Sequence, residues 1–264
     1  MLVHLVQYDI VWEDKPASHA RAEALIDAAG VTPGGLIVLP ELGDTGFGFD
    51  LDAIVDDRSE HWASTLAKRT QCWVQHGWAQ RTDAGRGLNV AGLFDPQGEL
   101  IGTAVKLHPF SVGKEHTVYD AGEALVLLDV ADTYVCPLTC YDLRFPGAFR
   151  KAALAGAEVF TVGASWPEGR MHHWRALAIA RAIENQAIVV AVNRTGSDPN
   201  LSYTGGSLVV SHDGEVLAEA GSDDCVLRGE VDLDALRRWR RKFPCLKDAR
   251  VDLQGELPVK HIQR

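Results

Sequence analysis

Residues 133–146 read TYVCPLTCYDLRFP. The first seven are apolar or β-branched, which favours a short buried strand. A cysteine follows, then a turn, and Pro146 stands where the first turn of a helix tolerates a missing N–H. That spacing predicts a helix over 145–155, closed by Gly156. Outward from it the strand–helix unit repeats. EVFTVGAS is a strand, residues 172–186 are helical with apolar positions at Leu177, Ala180 and Ile183, and AIVVAVN is a further strand. In the first half LVHLVQYDI is a strand, 17–29 is a helix ended by Gly30, and LIVLP is a continuously apolar strand of the kind buried on both faces. Residues 59–70 read as a helix with Ser59 as its cap. CWVQHGWAQ and LNVAGLFD are strands, and DPQG turns the second back into ELIGTAVKL. ALVLLDV is a strand, and HDGE closes a second hairpin between YTGGSLVVS and EVLAEAG. Alternating strands and helices predict a layered α/β fold, and a hairpin in each half predicts two sheets.

The chain has 264 residues, 46% of them hydrophobic and 23% charged, which suits one sizeable core. No linker or low-complexity run divides it, so residues 1–264 are expected to form a single domain. The tail, about 243–264, lacks periodicity and is expected to wrap a partner subunit. A formal net charge of −10 gives no electrostatic reason to expect nucleic acid or an anionic membrane as partner. The N-terminus lacks the pattern of a secretory signal, and no apolar run reaches the ~18 residues of a membrane span. Five scattered cysteines without a C-x-x-C pair argue against a disulfide scaffold or a zinc site and fit a reducing cytoplasm.

Three apolar strands end in a polar residue at a turn: LIVLPE at Glu41, IGTAVK at Lys106 and YVCPLTC at Cys140. Residues just past strand carboxyl ends line the crevice of α/β proteins, so the three can meet. A cysteine is mostly thiol at neutral pH and needs a base or cation to become a nucleophile. Glu41 can take that proton and deliver it to departing ammonia, and Lys106 can hold an oxyanion. The turn after Cys140 has the logic of a nucleophile elbow, with the Tyr141 amide as oxyanion donor. Taken singly, each residue has an ordinary reading: a small buried hydrophobe, a turn acid, a strand-edge lysine.

PELGDTGF, VKLHPF and TCYDLRFP resemble, in order and spacing, the three signature segments of the nitrilase superfamily. The likeness continues through residues 163–196 and 203–221 and so covers nearly the whole chain. Within that superfamily the chain resembles the omega-amidase branch. The resemblance implies a four-layer αββα sandwich that commonly dimerises, a Glu41–Lys106–Cys140 triad, an acyl-enzyme thioester and no metal or organic cofactor. It implies a cytoplasmic homodimer that hydrolyses the terminal amide of a small carboxylate-bearing substrate such as 2-oxoglutaramate. Glu115, in VGKEH, is the best match to a second glutamate frequent in the family, on a loop shorter than in many omega-amidases; otherwise it is a solvated loop acid. Arg144 is either the anchor of a substrate carboxylate or a structural partner of Asp142. Trp166 and Phe47 are expected to line the pocket, with core packing the other reading of Trp166. The adjacent His172 and His173 point to different faces of their helix, which the resemblance places near the subunit interface, and no metal site is expected there.

The alternatives are other amidases of the superfamily: a deaminated-glutathione amidase, an N-carbamoyl amino acid hydrolase or an aliphatic amidase. A catalytically silent dimeric binding protein would show a replaced triad residue, and none is replaced. A redox-sensing thiol would need a resolving cysteine, and Cys136 lies ~13 Å from Cys140 along an extended strand, too far for a disulfide.

Overall fold

The computed structural model of the chain describes residues 1–250, 252 and 258–262. Two sheets carry the fold. In the first the order is Cys225–Glu230, Leu2–Gln7, Leu36–Val38, Trp73–Arg81, Gly87–Phe94, Leu100–Val105, with Tyr119–Asp120 beside the start of Gly87–Phe94. In the second it is Val216–Glu219, Leu208–Val210, Ile188–Asn193, Val159–Ala164, Thr133–Thr139, Leu125–Val130, Val259–Ile262. The central strand of each sheet, Leu36–Val38 and Val159–Ala164, is parallel to both neighbours.

Alternation along each strand builds the layers, because successive side chains point to opposite faces. Leu36, Val38, Val126, Leu128, Ile188, Val190 and Val192 share one apolar cluster between the sheets. Their neighbours turn outward. Ile37 and Val74 pack with Ala22, Ile26, Ala63 and Leu66 of the helices Lys15–Ala29 and Arg58–Thr70. Leu127, Phe160, Val189 and Ala191 pack with Phe149, Ala152, Trp174, Ala178 and Ala182 of Pro146–Leu154 and Met171–Asn185. Strands apolar on both faces therefore give the αββα sandwich that the sequence implied, and these LIV-rich runs are continuous for the same reason.

One local expectation changes. Ser59 does not cap its helix: it lies within Arg58–Thr70 after Asp57, and its hydroxyl accepts from Lys15 Nζ at 2.8 Å. On Met171–Asn185 the core face is Trp174, Ala178 and Ala182, while Leu177 and Ala180 are half-buried and Ile183 is 51% exposed. Of the apolar positions read from the sequence, Leu177 packs against the core cluster and Ile183 turns outward. In the tail, Val259–Ile262 pairs in parallel with Leu125–Val130 of its own sheet, and residues 253–257 lie outside the described residues.

Candidate active site

Four strand ends meet at one crevice. Glu41 follows Leu36–Val38, Lys106 follows Leu100–Val105, Cys140 follows Thr133–Thr139, and Ser165 with Trp166 follows Val159–Ala164. Gly77 and Gly163 let the Glu41 loop settle between its neighbours. A Cβ on Gly77 would lie 2.8 Å from Pro40 O, and one on Gly163 would lie 2.9 Å from Leu39 O.

At the turn after Thr139 the backbone of Cys140 takes φ +44°, a left-handed conformation that costs a β-carbon residue energy. A capping box holds it there: the Thr139 side chain accepts from the Asp142 backbone, and Asp142 accepts from Thr139 N at 3.0 Å. The same carboxylate accepts from His108 N at 2.9 Å and contacts His108 Nδ1 at 2.7 Å. Asp142 therefore ties the Cys140 turn to the loop just past Lys106. It is not the partner of Arg144.

Lys106 Nζ donates to Glu41 Oε1 and to Glu115 Oε2, both at 2.7 Å. Glu115 is completely buried, which excludes the solvated-loop reading, and it also accepts from Phe110 N at 2.5 Å. Asn89, which sequence reasoning passed over, donates through Nδ2 to Glu41 Oε1 and Glu115 Oε1, each at 2.9 Å. The other oxygen of Glu41 accepts from Ser165 N at 3.0 Å. The Cys140 thiol faces Glu41, Lys106 and the Ser165 backbone N–H.

The charges have definite consequences. Burial, and next the negative charge of Glu41, push the Cys140 thiol well above its ordinary value, against the pull of Lys106. Cys140 therefore rests as a thiol at neutral pH, and a base must act when it attacks. Burial alone would lower the Lys106 ammonium, but Glu41, Glu115 and Cys140 hold it above its usual range, so it stays charged. Burial and repulsion from Glu41 raise Glu115 above the usual carboxylate range, opposed by Lys106.

Above this cluster opens a cleft of about 430 Å³ lined by Phe47, Phe110, Tyr141, Arg144, Trp166 and Arg170 among others. The Phe47 ring lies 5.3 Å from Lys106 Nζ. Trp166 is both lining and core: it is 2% exposed, and its indole N–H donates to Arg170 O at 2.9 Å. Arg144 stacks on Trp166 at 4.6 Å, and its terminal nitrogens lie 3.3 Å from His173 Nδ1. Partial desolvation and the nearby His172, Arg144 and Arg170 hold His173 below its ordinary range, so its ring can accept. Among the described residues neither Arg144 nor Arg170 is paired with a carboxylate. Arg170, Leu201 and Tyr203 also line the cleft without having been anticipated; the last two sit on the small hairpin of Thr195–Ser197 and Ser202–Thr204.

With this geometry in place, comparison with known proteins is direct. The carbon–nitrogen hydrolase family model matches residues 2–241. The 2-oxoglutaramate amidase of Bacillus subtilis (strain 168) is 33% identical over 255 residues, covering 95% of this chain and 98% of the relative. The omega-amidase YafV of Escherichia coli (strain K12) is 36% identical over 251 residues, covering 94% and 96%. Among solved structures, a CN-hydrolase superfamily protein from Xanthomonas campestris with an arsenic adduct in the active site superposes with a TM-score of 0.89. It is 30% identical, over 97% of this chain and 99% of that one. The chain therefore belongs to the carbon–nitrogen hydrolase family, hydrolases that act on carbon–nitrogen bonds other than peptide bonds.

Proposed function

We propose that the protein is an omega-amidase-like amidohydrolase that cleaves the terminal amide of a small carboxylate-bearing substrate, such as 2-oxoglutaramate, through a Cys140 thioester. The observation that carries this reading is the buried set of Glu41, Lys106 and Glu115 beside a resting thiol, under two arginines with no carboxylate partner among the described residues. Cys140 Sγ attacks the amide carbon while Glu41 takes the thiol proton. Lys106 Nζ and the Tyr141 N–H, in the first turn where helical donors lack internal acceptors, hold the oxyanion. Glu41 then gives its proton to the leaving nitrogen, and ammonia departs. Water, deprotonated by Glu41, cleaves the thioester, and the proton returns to sulfur as the acid leaves. Glu115 and Asn89 position Lys106 and Glu41 and touch no reacting atom.

Arg144 is the anchor of the substrate carboxylate, since a guanidinium fork matches that group. An Arg144→Leu variant is expected to raise KM for 2-oxoglutaramate about 10- to 100-fold, with a smaller change for an uncharged aliphatic amide. Ammonia release from 2-oxoglutaramate, a carbamoyl amino acid, an aliphatic amide and a nitrile measures both points. Equal losses on charged and uncharged amides would remove Arg144 from this role, and preference for the carbamoyl compound would move the chain to a sister activity.

The same reading makes the chain one domain and a cytoplasmic homodimer. Five unpaired cysteines fit a reducing compartment. Ile183, 51% exposed on Met171–Asn185, supports a subunit contact along that helix. Sedimentation is expected to show a dimer that Ile183→Glu weakens; a wild-type monomer at micromolar concentration would exclude it.

A further inference from the structure

Away from the thiol, two histidines and an aspartate converge from three distant places. His19 comes from the helix Lys15–Ala29, Asp44 from the loop that carries Glu41, and His76 from the strand Trp73–Arg81. Asp44 and His76 are fully buried and His19 is 9% exposed. His19 Nε2 lies 3.5 Å and His76 Nε2 3.4 Å from the same oxygen, Asp44 Oδ2.

Those separations are long for a charge-assisted hydrogen bond. The His108–Asp142 contact elsewhere in the molecule is 2.7 Å. They do match the edge of a tetrahedron, since donors about 2.0–2.1 Å from a zinc ion sit about 3.4 Å apart. Asp44 Oδ1, His76 Nδ1 and His19 Nε2 have no hydrogen-bond partner. A buried carboxylate demands a close cation or a full set of donors, and the cation nearest at hand is already engaged: Lys15 Nζ is bound to Asp56 at 2.7 Å and to Ser59 at 2.8 Å. Aromatic rings enclose the group, with Trp62 stacked on His19 at 4.1 Å and Trp78 on His76 at 5.8 Å.

We propose that His19 Nε2, Asp44 Oδ2 and His76 Nε2 form a binding site for a divalent transition metal, zinc being the best fit to the donor set and spacing. Its role is structural. Asp44 lies three residues after Glu41, on a loop that also meets the sheet through Gly43 N donating to Gly77 O at 2.8 Å. A metal there fastens the Glu41 loop to a helix and a strand, and it takes no part in the chemistry at Cys140. Two histidines and one carboxylate supply three of the four positions of a tetrahedral zinc ion.

The test uses the full chain, as wild type and as Cys140→Ala so that the reactive thiol is not a competing ligand. After incubation with zinc and dialysis against metal-free buffer, both are expected to retain about one zinc per chain by elemental analysis. Zinc is expected to raise the melting temperature by about 5 °C or more. Cobalt(II) is expected to give the visible absorption of a tetrahedral N/O site. His19→Gln and His76→Gln are each expected to lose at least about ten-fold in retained metal and the zinc-dependent stabilisation. His172→Gln and His173→Gln are expected to retain both. Wild-type chain without retained zinc and without a tetrahedral cobalt spectrum overturns the proposal, whatever the variants do. Zinc retained by His76→Gln but lost from His172→Gln or His173→Gln also overturns it, assigning the ion to the exposed pair.

Discussion

Replacing Glu41 by Gln is expected to lower kcat for amide hydrolysis by about 10³- to 10⁴-fold, the range of lost acid–base catalysis by one positioned group. The carboxylate acts at three moments: when the thiol loses its proton, when nitrogen gains one, and when water attacks the thioester. Its neighbourhood also makes the variant diagnostic. Glu41 is a leading cause of the raised Cys140 value, while Lys106 opposes it. With the negative charge removed and the ammonium kept, the thiolate becomes easier to form. Alkylation of Cys140 by iodoacetamide at neutral pH is therefore expected to quicken in Glu41→Gln even as ammonia release collapses. A melting temperature within a few degrees of wild type keeps the comparison fair. Slower alkylation at an unchanged melting temperature contradicts this assignment, because Glu41 would then activate the resting thiol rather than suppress its ionisation.

Lys106→Met is expected to damage both stability and activity. The ammonium bridges two carboxylates at 2.7 Å each, and all three groups are essentially out of water. Removing one member of a buried ion network costs about 3–5 kcal/mol, since the remaining charge has no partner. The loss has a pH signature. Glu115, already raised by burial and by Glu41 and now without the opposing ammonium, takes up a proton in the folded state that the unfolded chain has already released. A carboxyl group with a raised folded-state pKa contributes stability at low pH and loses it as pH rises. The deficit of Lys106→Met is therefore expected to be smaller near pH 5 than near pH 8. Adding Glu115→Gln, which removes one of the two unpaired charges, is expected to restore part of the melting temperature. It is not expected to restore activity, because loss of one oxyanion donor costs about 10²- to 10³-fold in kcat. Thermal unfolding of the single and double variants at both pH values measures each statement. A deficit that does not change with pH would show that the carboxylates are not what Lys106 neutralises.

The meeting of Glu41, Lys106 and Cys140 was legible because each is the first polar residue after an apolar strand, so chain direction alone sends it to one edge of the sandwich. Asn89 carried a weaker signal. It is a lone amide in the strand LNVAGLFD, but an amide among alternating residues reads equally as solvent-facing, and only the pairing of its strand with Leu100–Val105 shows that it is buried beside Lys106. A pairing of Asp142 with Arg144 was one of two readings of that arginine, suggested by a separation of two residues. A 3₁₀ turn instead aims the carboxylate at the Lys106 loop, a contact spanning 34 residues. Leu177, Ala180 and Ile183 marked a helix by their periodicity and left open what covers them, since an apolar stripe does not name its neighbour. His19, Asp44 and His76 had no spacing to reveal them, because three separate elements bring them together.

Rapid quenching of the reaction with 2-oxoglutaramate, followed by intact-protein and peptide mass spectrometry, tests the central claim most directly. The expected result is a transient mass increase equal to the acyl group, located on Cys140. It disappears as ammonia and acid accumulate, and it is absent from Cys140→Ala, which releases ammonia at least about 10⁴-fold more slowly. Full ammonia release by Cys140→Ala, or an acyl group carried by another residue, would contradict it.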